Sequence, residues 1–274
     1  MIESGGLTKA VILARGLGTR MRSADSSAAL SGEQLHAVDA GIKAMIPVGR
    51  PFLDFVLSAL ADAAIESVCL VIGPEHSSIR DYYNSLALRR IQIHFAIQER
   101  PLGTANALLS VREFAADDPF LSLNSDNYYP PEVFKAMRKL GEPGLPAFER
   151  NALLEQSNVP EERLREYALL RVGNSGYLEG IIEKPGSLPA STANESVYVS
   201  LNCWRFDAAI FRACEEVPRS ARGEFELPEA VQYGIANLGL RLKAVPFHAG
   251  VLDLSRRSDI ASVADRLRDV RVRL

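Results

Sequence analysis

Two aspartates stand at the ends of short apolar runs, Asp126 after Phe120-Leu-Ser-Leu-Asn124 and Asp253 after Val251-Leu252. A carboxylate is a hard oxygen ligand, and Mg2+ is commonly held by one or two carboxylates, with phosphate oxygens and water completing its sphere. An Asp in such a place serves equally as a turn former or helix cap, so the pair by itself does not define a metal site. Near the N-terminus, Gly16 and Gly18 follow Lys9-Ala-Val-Ile-Leu13-Ala14, a run apolar enough for a strand buried on both faces. Glycines there let the backbone turn sharply and bring bare N–H groups close to phosphate oxygens. Arg20 and Arg22 add positive charge beside that cradle, and Lys43 lies between a polar stretch and the apolar Ala44-Met-Ile-Pro-Val48, an odd place for a purely solvated lysine. Amide donors, cations and hard carboxylates are what a transfer between two phosphate-bearing polyanions requires, because the work is charge neutralisation and alignment.

Other chemistries find little support. Met21 stands where the third glycine of G-x-G-x-x-G belongs, and Ser23 to Gly41 offers no second strand with a ribose-binding acid, so a nicotinamide or flavin site is not expected. The P-loop, HExxH and GxSxG patterns are absent, and His36, His76, His94 and His248 have no ligand spacing. Cys69, Cys203 and Cys214 are odd in number, scattered and set among apolar neighbours, which suggests reduced core thiols in a cytoplasmic protein.

Taken in order, Leu13-Ala14-x-Gly16-x-Gly18-Thr19-Arg20-Met21, Lys43 in Ile42-Lys-Ala-Met-Ile-Pro-Val-Gly49, Pro101-Leu-Gly103-Thr104-Ala105, Asp126, Glu183-Lys184-Pro185 and Leu252-Asp253 resemble the sugar-1-phosphate nucleotidylyltransferases over roughly residues 8–268. Each piece is short, and the ordered co-occurrence carries the resemblance. It implies a Mg2+-dependent enzyme in which a sugar 1-phosphate attacks the α-phosphorus of a nucleoside triphosphate and pyrophosphate leaves. By the same resemblance Arg20, Lys43 and Asp126 are catalytic, and Asp126 and Asp253 hold the metal. Leu13, Ala14, Gly16, Gly18, Thr19, Gln98, Gly103 and Thr104 bind the nucleotide, with Gln98 and Gly103 against the base. Glu183, Lys184 and Asn202 take the sugar phosphate. Ser125 and Val251 depart from residues common in the family, which puts the pocket's shape in doubt more than its metal. The stretch from 23 to 42 is longer than the family's usual link, so the entrance to the site should differ.

Positioning these residues calls for alternating elements. Helical spacing from Pro51 to Ala64, strand-like runs at 67–73 and 91–98, a helix opened by Gly103 and running to about Phe114, and the strand before Asp126 describe an α/β chain. Such a chain builds a Rossmann-like, doubly wound, mainly parallel mixed sheet, here in a single domain, whose ligands bind beyond the carboxyl ends of the strands. A helix is expected at 130–140, an elaboration of turns and a polar helical segment at 142–165, a β-hairpin at 167–183, one strand over 197–206, then helices and a strand up to a final helix from Ser258. The resemblance divides this into a nucleotide half (about 8–128), a sugar half (about 129–254) and a C-terminal helix (255–274), with no β-helix domain.

At 274 residues and a formal charge of −3 there is no broad basic field, which argues against nucleic acid as partner. The apolar runs are about strand length, far short of the roughly 20 residues that span a bilayer. The first residues lack the pattern of a signal peptide, giving a cytoplasmic expectation. A homo-oligomer is left open, since no stripe marks an interface. Two other readings share some features, a nucleotide-sugar-dependent glycosyltransferase and a non-catalytic sugar-nucleotide sensor. Asn124-Ser-Asp126 is not Asp-x-Asp, and a sensor would not need the whole set of Arg20, Lys43, Asp126, Lys184 and Asp253.

Overall fold

The computed structural model describes residues 6–16, 18–23, 30–183, 185 and 197–274. The chain begins with strand β1 (Lys9–Leu13), passes through the glycine loop into a single turn α1 (Thr19–Arg22), and forms α2 (Gly32–Asp39) before a 3₁₀ turn at Lys43–Met45. Helix α2 starts from a reciprocal cap: Gln34 N–H donates to Ser31 Oγ, and the Gln34 side chain accepts from Ser31 N–H. Next come α3 (Phe52–Asp62), β2 (Ser67–Ile72), α4 (Ser77–Ser85), β3 (Gln92–Ile97), α5 (Thr104–Leu109), α6 (Arg112–Ala115) and β4 (Phe120–Asn124). The expected helix to Phe114 is thus two short ones. The order continues with β5 (Asn127–Tyr128), α7 (Pro131–Lys139), β6 (Gly144–Glu149), α8 (Arg150–Gln156) and α9 (Glu161–Leu164). The remainder is β7 (Ala168–Val172), β8 (Leu178–Ile182), β9 (Tyr198–Ser200), β10 (Trp204–Phe206), α10 (Ala209–Glu216), α11 (Leu227–Asn237), β11 (Lys243–Phe247), β12 (Leu252–Asp253) and α12 (Asp259–Leu267).

Among the described residues, ten strands form one mixed sheet in the order β3-β2-β1-β4-β10-β6-β9-β7-β8, with β11 on β6. The half carrying the glycine loop, β3-β2-β1-β4, is parallel throughout, and its strands are joined by helices. Val11, Val71, Phe120 and Trp204 pack toward one layer of helices, while Ile12, Leu70, Leu121 and Leu123 pack toward the other. Burial on both faces explains why these strands read as continuous apolar runs. The doubly wound mixed α/β architecture expected from the sequence is what the chain adopts.

Two readings are corrected. The segment 142–165 is more than turns and helix, because β6 lies inside the sheet between β10 and β9 and carries β11 as well. Its Gly144 and Pro146 mark a turn locally, and the pairing overrides that signal. The expected strand over 197–206 is broken at Asn202, whose φ of 61° lies in the left-handed region that Asn tolerates. There β9 ends and β10 begins.

A candidate active site at the carboxyl edge of the sheet

Parallel strands deliver their loops to one edge, and there the cleft lies. The Ala14 N–H bonds to Val71 O at 2.8 Å, so the glycine loop leaves β1 in register with its neighbour. Gly18 has φ 60°, and a Cβ on it would stand 2.8 Å from the carbonyl oxygen of Gly41. Glycine is required there by the close passage of the 41–43 segment, which carries Lys43. Gly16 would meet nothing within 4 Å, and it borders open space on the ligand side.

Two adjoining cavities meet at Lys43 and Asp126. The first, about 380 Å³, is lined by Leu13, Ala14, Gly16, Thr19, Gln98, Gly103, Thr104 and Asp126 among others. The second, about 420 Å³, shares Gly16, Thr19, Thr104 and Asp126 and adds Gly18, Arg20, Glu183, Asn202 and Asp253. All the site residues expected from the sequence are therefore gathered on one cleft, except Lys184, which lies outside the described residues.

An ion pair stands at the junction. Lys43 Nζ donates to Asp126 Oδ2 at 2.9 Å. Burial works against the ammonium ion, but Asp126, helped by Asp253, outweighs it and raises the Lys43 pKa above its ordinary value. Lys43 is thus charged at neutral pH. Asp253 reaches the same place by a separate two-strand ladder, in which β12 pairs antiparallel with β5, setting Asp253 opposite Asn127. Leu254 N–H donates to Asp126 O at 2.8 Å and locks the two segments together.

Asp253 is almost wholly buried. Its Oδ1 accepts from Arg163 at 2.5 Å and from Ser255 N–H at 3.0 Å, its Oδ2 accepts from Asn127 Nδ2 at 3.2 Å, and the Tyr167 hydroxyl bonds to it as well. Burial, then the nearby Asp126, raise its pKa, while Arg163 opposes them. Arg163 continues to Asp259 Oδ1 at 2.5 Å, and Asp259 Oδ2 accepts Ser255 N–H and Arg256 N–H. The tight turn after β12 is thereby pinned by a buried cation between two carboxylates.

This donor set suits a hard cation of the Mg2+ type. Among the described residues no group of three or more His, Cys, Asp or Glu side chains stands ready for a metal. Asp126 and Asp253 are the two carboxylates locked together at the junction with Lys43, and phosphate oxygens and water would have to supply the rest, as Mg2+ prefers.

Gln98 lies buried at the other end of the first cavity, where its Nε2 donates to Gly103 O and Asn106 Oδ1, both at 3.0 Å. Gly103 has φ 110°, and a Cβ there would stand 2.8 Å from the Phe225 amide nitrogen and closer still to its carbonyl oxygen. Its lack of a side chain admits the 223–226 segment as well as bordering the cavity. Arg20, half exposed, approaches Glu166 Oε2 at 3.5 Å, and Glu166 Oε1 also takes Arg256 at 2.5 Å.

Sequence reasoning missed Arg15, Arg163, Glu166, Tyr167, Arg222 and Glu224, all of which line the cleft. Arg222 pairs with Glu226, and both line the second cavity with Asn202. Gly223 after Arg222 was the one local signal. Nothing in the sequence separates Arg163 from its neighbour Arg165. Trp204 is wholly buried and stacks on Phe206 at 5.8 Å, which makes it part of the core.

Residues 9–248 match the family described as "Nucleotidyl transferase". Among curated relatives, the chain is 29% identical over 226 residues to a glucose-1-phosphate thymidylyltransferase of Streptomyces griseus, covering 82% of this chain and 56% of that protein. It is 26% identical over 262 residues to the UTP–glucose-1-phosphate uridylyltransferase AglF of Haloferax volcanii, covering 95% and 97%. The chain thus spans little more than half of the first relative and nearly all of the second. Among solved structures it superposes on a UDP-glucose pyrophosphorylase bound to UDP-glucose with a TM-score of 0.73 at 18% identity, covering 97% of this chain and 100% of that one. That likeness is one of fold. No helix among the described residues is long and apolar enough to cross a membrane. The resemblance carried by the ordered motifs is borne out.

Proposed function

This chain belongs to the nucleotidyl transferase family, and from that premise we propose that it joins a nucleoside triphosphate to a sugar 1-phosphate, forming a nucleoside-diphosphate sugar and releasing pyrophosphate. The observation that carries the reading is the meeting of two cavities at one cation–carboxylate pair, Lys43 and Asp126. One cavity has the glycine loop for a triphosphate, and the other has Glu183, Asn202 and Arg222 for a phosphorylated sugar. The relatives' names make glucose 1-phosphate the first sugar to try.

The chemistry needs no strong base, because the nucleophile is already an anion. A phosphate oxygen of the sugar forms a bond to the α-phosphorus, and the bond from that phosphorus to the bridging oxygen breaks, its electron pair leaving with pyrophosphate. The glycine-loop amides and Arg20 bind the triphosphate, and Lys43 neutralises charge where the two substrates meet. Asp126 orients Lys43 through their 2.9 Å hydrogen bond. Mg2+ held by Asp126 and Asp253 would supply Lewis-acid neutralisation of the phosphates. Arg163 and Asn127 fix the orientation of Asp253.

The test is pyrophosphate release with Mg2+ across ATP, GTP, CTP, UTP and dTTP against a panel of sugar 1-phosphates. Release that requires both substrates is expected, and Asp126→Ala should abolish it while leaving the melting transition nearly unchanged. Full turnover in that variant would remove Asp126 from the machinery. Silence of the folded wild type across the panel would overturn the reading.

A further inference from the structure

The base end of the first cavity holds a buried cation that the reaction does not use. The Arg15 side chain is only 8% exposed, yet it lines the cavity beside Gln98, Pro101 and Gly103. Its Nε donates to Glu75 Oε1 at 3.1 Å, and one terminal nitrogen donates to Glu75 Oε2 at 3.3 Å. The other terminal nitrogen donates to the main-chain carbonyl of Gln98. The glycine loop, the turn after β2 and the end of β3 are thus tied at one guanidinium. A guanidinium carries five N–H groups, and three are engaged among the described residues, which leaves two for a ligand.

Gln98 beside it is committed in the opposite sense. A backbone carbonyl only accepts, so the group facing Gly103 O must be the amide nitrogen of Gln98, and the second amide hydrogen goes to Asn106. Both donors of the carboxamide are spent, and what Gln98 has left to offer is its oxygen. The base end therefore presents a fixed acceptor from Gln98 and donors from Arg15.

Resting on the reading of this cleft as a triphosphate site, we propose that Arg15 is a specificity-determining residue that selects bases carrying a ring N–H beside a carbonyl oxygen: uracil, thymine and guanine. The ring N–H donates to Gln98 Oε1, and the carbonyl accepts from Arg15. Adenine and cytosine reverse this polarity, with a bare ring nitrogen beside an amino group. They set lone pair against lone pair at Gln98 and N–H against N–H at Arg15. Leaving such buried groups unpaired weakens binding by roughly tenfold to a hundredfold.

The test is calorimetric titration of the full chain with UTP, dTTP, GTP, ATP and CTP in Mg2+, without sugar phosphate, for the wild type and Arg15→Ala. UTP, dTTP and GTP should bind the wild type at least about tenfold more tightly than ATP and CTP. In Arg15→Ala the first group should weaken toward the second, while ATP and CTP change little. A ligand-side measurement needs no variant: N3-methyluridine triphosphate, which lacks the ring N–H, should bind the wild type as weakly as CTP does. Equal binding of all five, or an unchanged preference in Arg15→Ala, overturns the role of Arg15 while leaving the triphosphate site standing. Failure of every triphosphate to bind overturns both readings.

Discussion

Arg163→Met tests how the second carboxylate is held. Arg163 forms an ion pair with each of two buried acids, with side-chain exposures of 8% for Arg163, 3% for Asp253 and 6% for Asp259. Removing one partner of a buried pair costs about 3–5 kcal/mol, because the remaining charge is stranded away from water. Methionine keeps most of the stem's volume, so the loss reflects charge more than a cavity. We expect about 4 kcal/mol at pH 7, which for a chain of this size lowers the melting temperature by roughly 8–16 °C. The effect should depend on pH. Burial and the nearby Asp126 already hold the Asp253 carboxyl above its ordinary value of 3.8, and losing the guanidinium removes the one influence of Arg163 that opposes them. A group raised in this way destabilises when ionised, so the deficit is largest at pH 7 and shrinks as acidification protonates Asp253. Urea unfolding at pH 7 and pH 5, followed by circular dichroism, measures it. Adding Asp259→Asn to the variant should recover part of the loss. A deficit below about 1 kcal/mol, or one equal at both pH values, would refute the view that this ion triad holds the turn after β12.

Other expectations follow from single contacts. Gly103→Ala forces a side chain at φ 110° into the Phe225 backbone. It should cost at least about 1–3 kcal/mol and weaken nucleotide binding, as thermal melts with and without UTP would report. His76 is buried in the turn after β2, and its Nδ1 accepts from Gly73 N–H at 3.3 Å. Burial, with Arg15 adding to it, lowers its pKa below the usual 6.5 against the pull of Glu75. A depressed histidine contributes stability that is full above its unfolded pKa and fades as pH falls through the folded one. The wild type should therefore lose melting temperature on acidification below about pH 6.5 more steeply than His76→Asn. Equal slopes would assign the acid sensitivity elsewhere.

The parts of this fold that the sequence discloses are those whose signals are local. The strand before Asp126 and the one before Gly16 are apolar runs handed to a turn, and nothing distant contradicts them. Strand β6 is the opposite case: Gly144 and Pro146 mark a turn over five residues, while the pairing that makes the segment a strand comes from β10, β9 and β11, many residues further on. Asn202 was legible as a candidate for the cleft, which it lines, but not as a break, because a left-handed residue between two strands reads as one longer strand. In the site, Asp126 and Lys43 could be named from family resemblance, yet the grip of Lys43 on Asp126 is a matter of geometry. Arg163 and Arg15 escaped for one reason. Whether an arginine is solvated or buried against an acid is decided by the element it rides on and what that element docks against.

The two-residue ladder between β5 and β12 has a consequence for the making of the protein. Asn127 and Asp253, 126 positions apart, meet across it, so the loop it closes is nearly half the chain. A polypeptide emerging from the ribosome has every strand of the parallel half by residue 124, and with it the glycine cradle and Asp126 soon after. The facing carboxylate, and the Asp259 that shares Arg163 with it, arrive more than a hundred residues later. A pairing this distant in sequence forms late, after the local contacts have been made. The cleft is thus born in two instalments, and a nascent or broken chain displays the cradle with one of its two acids missing.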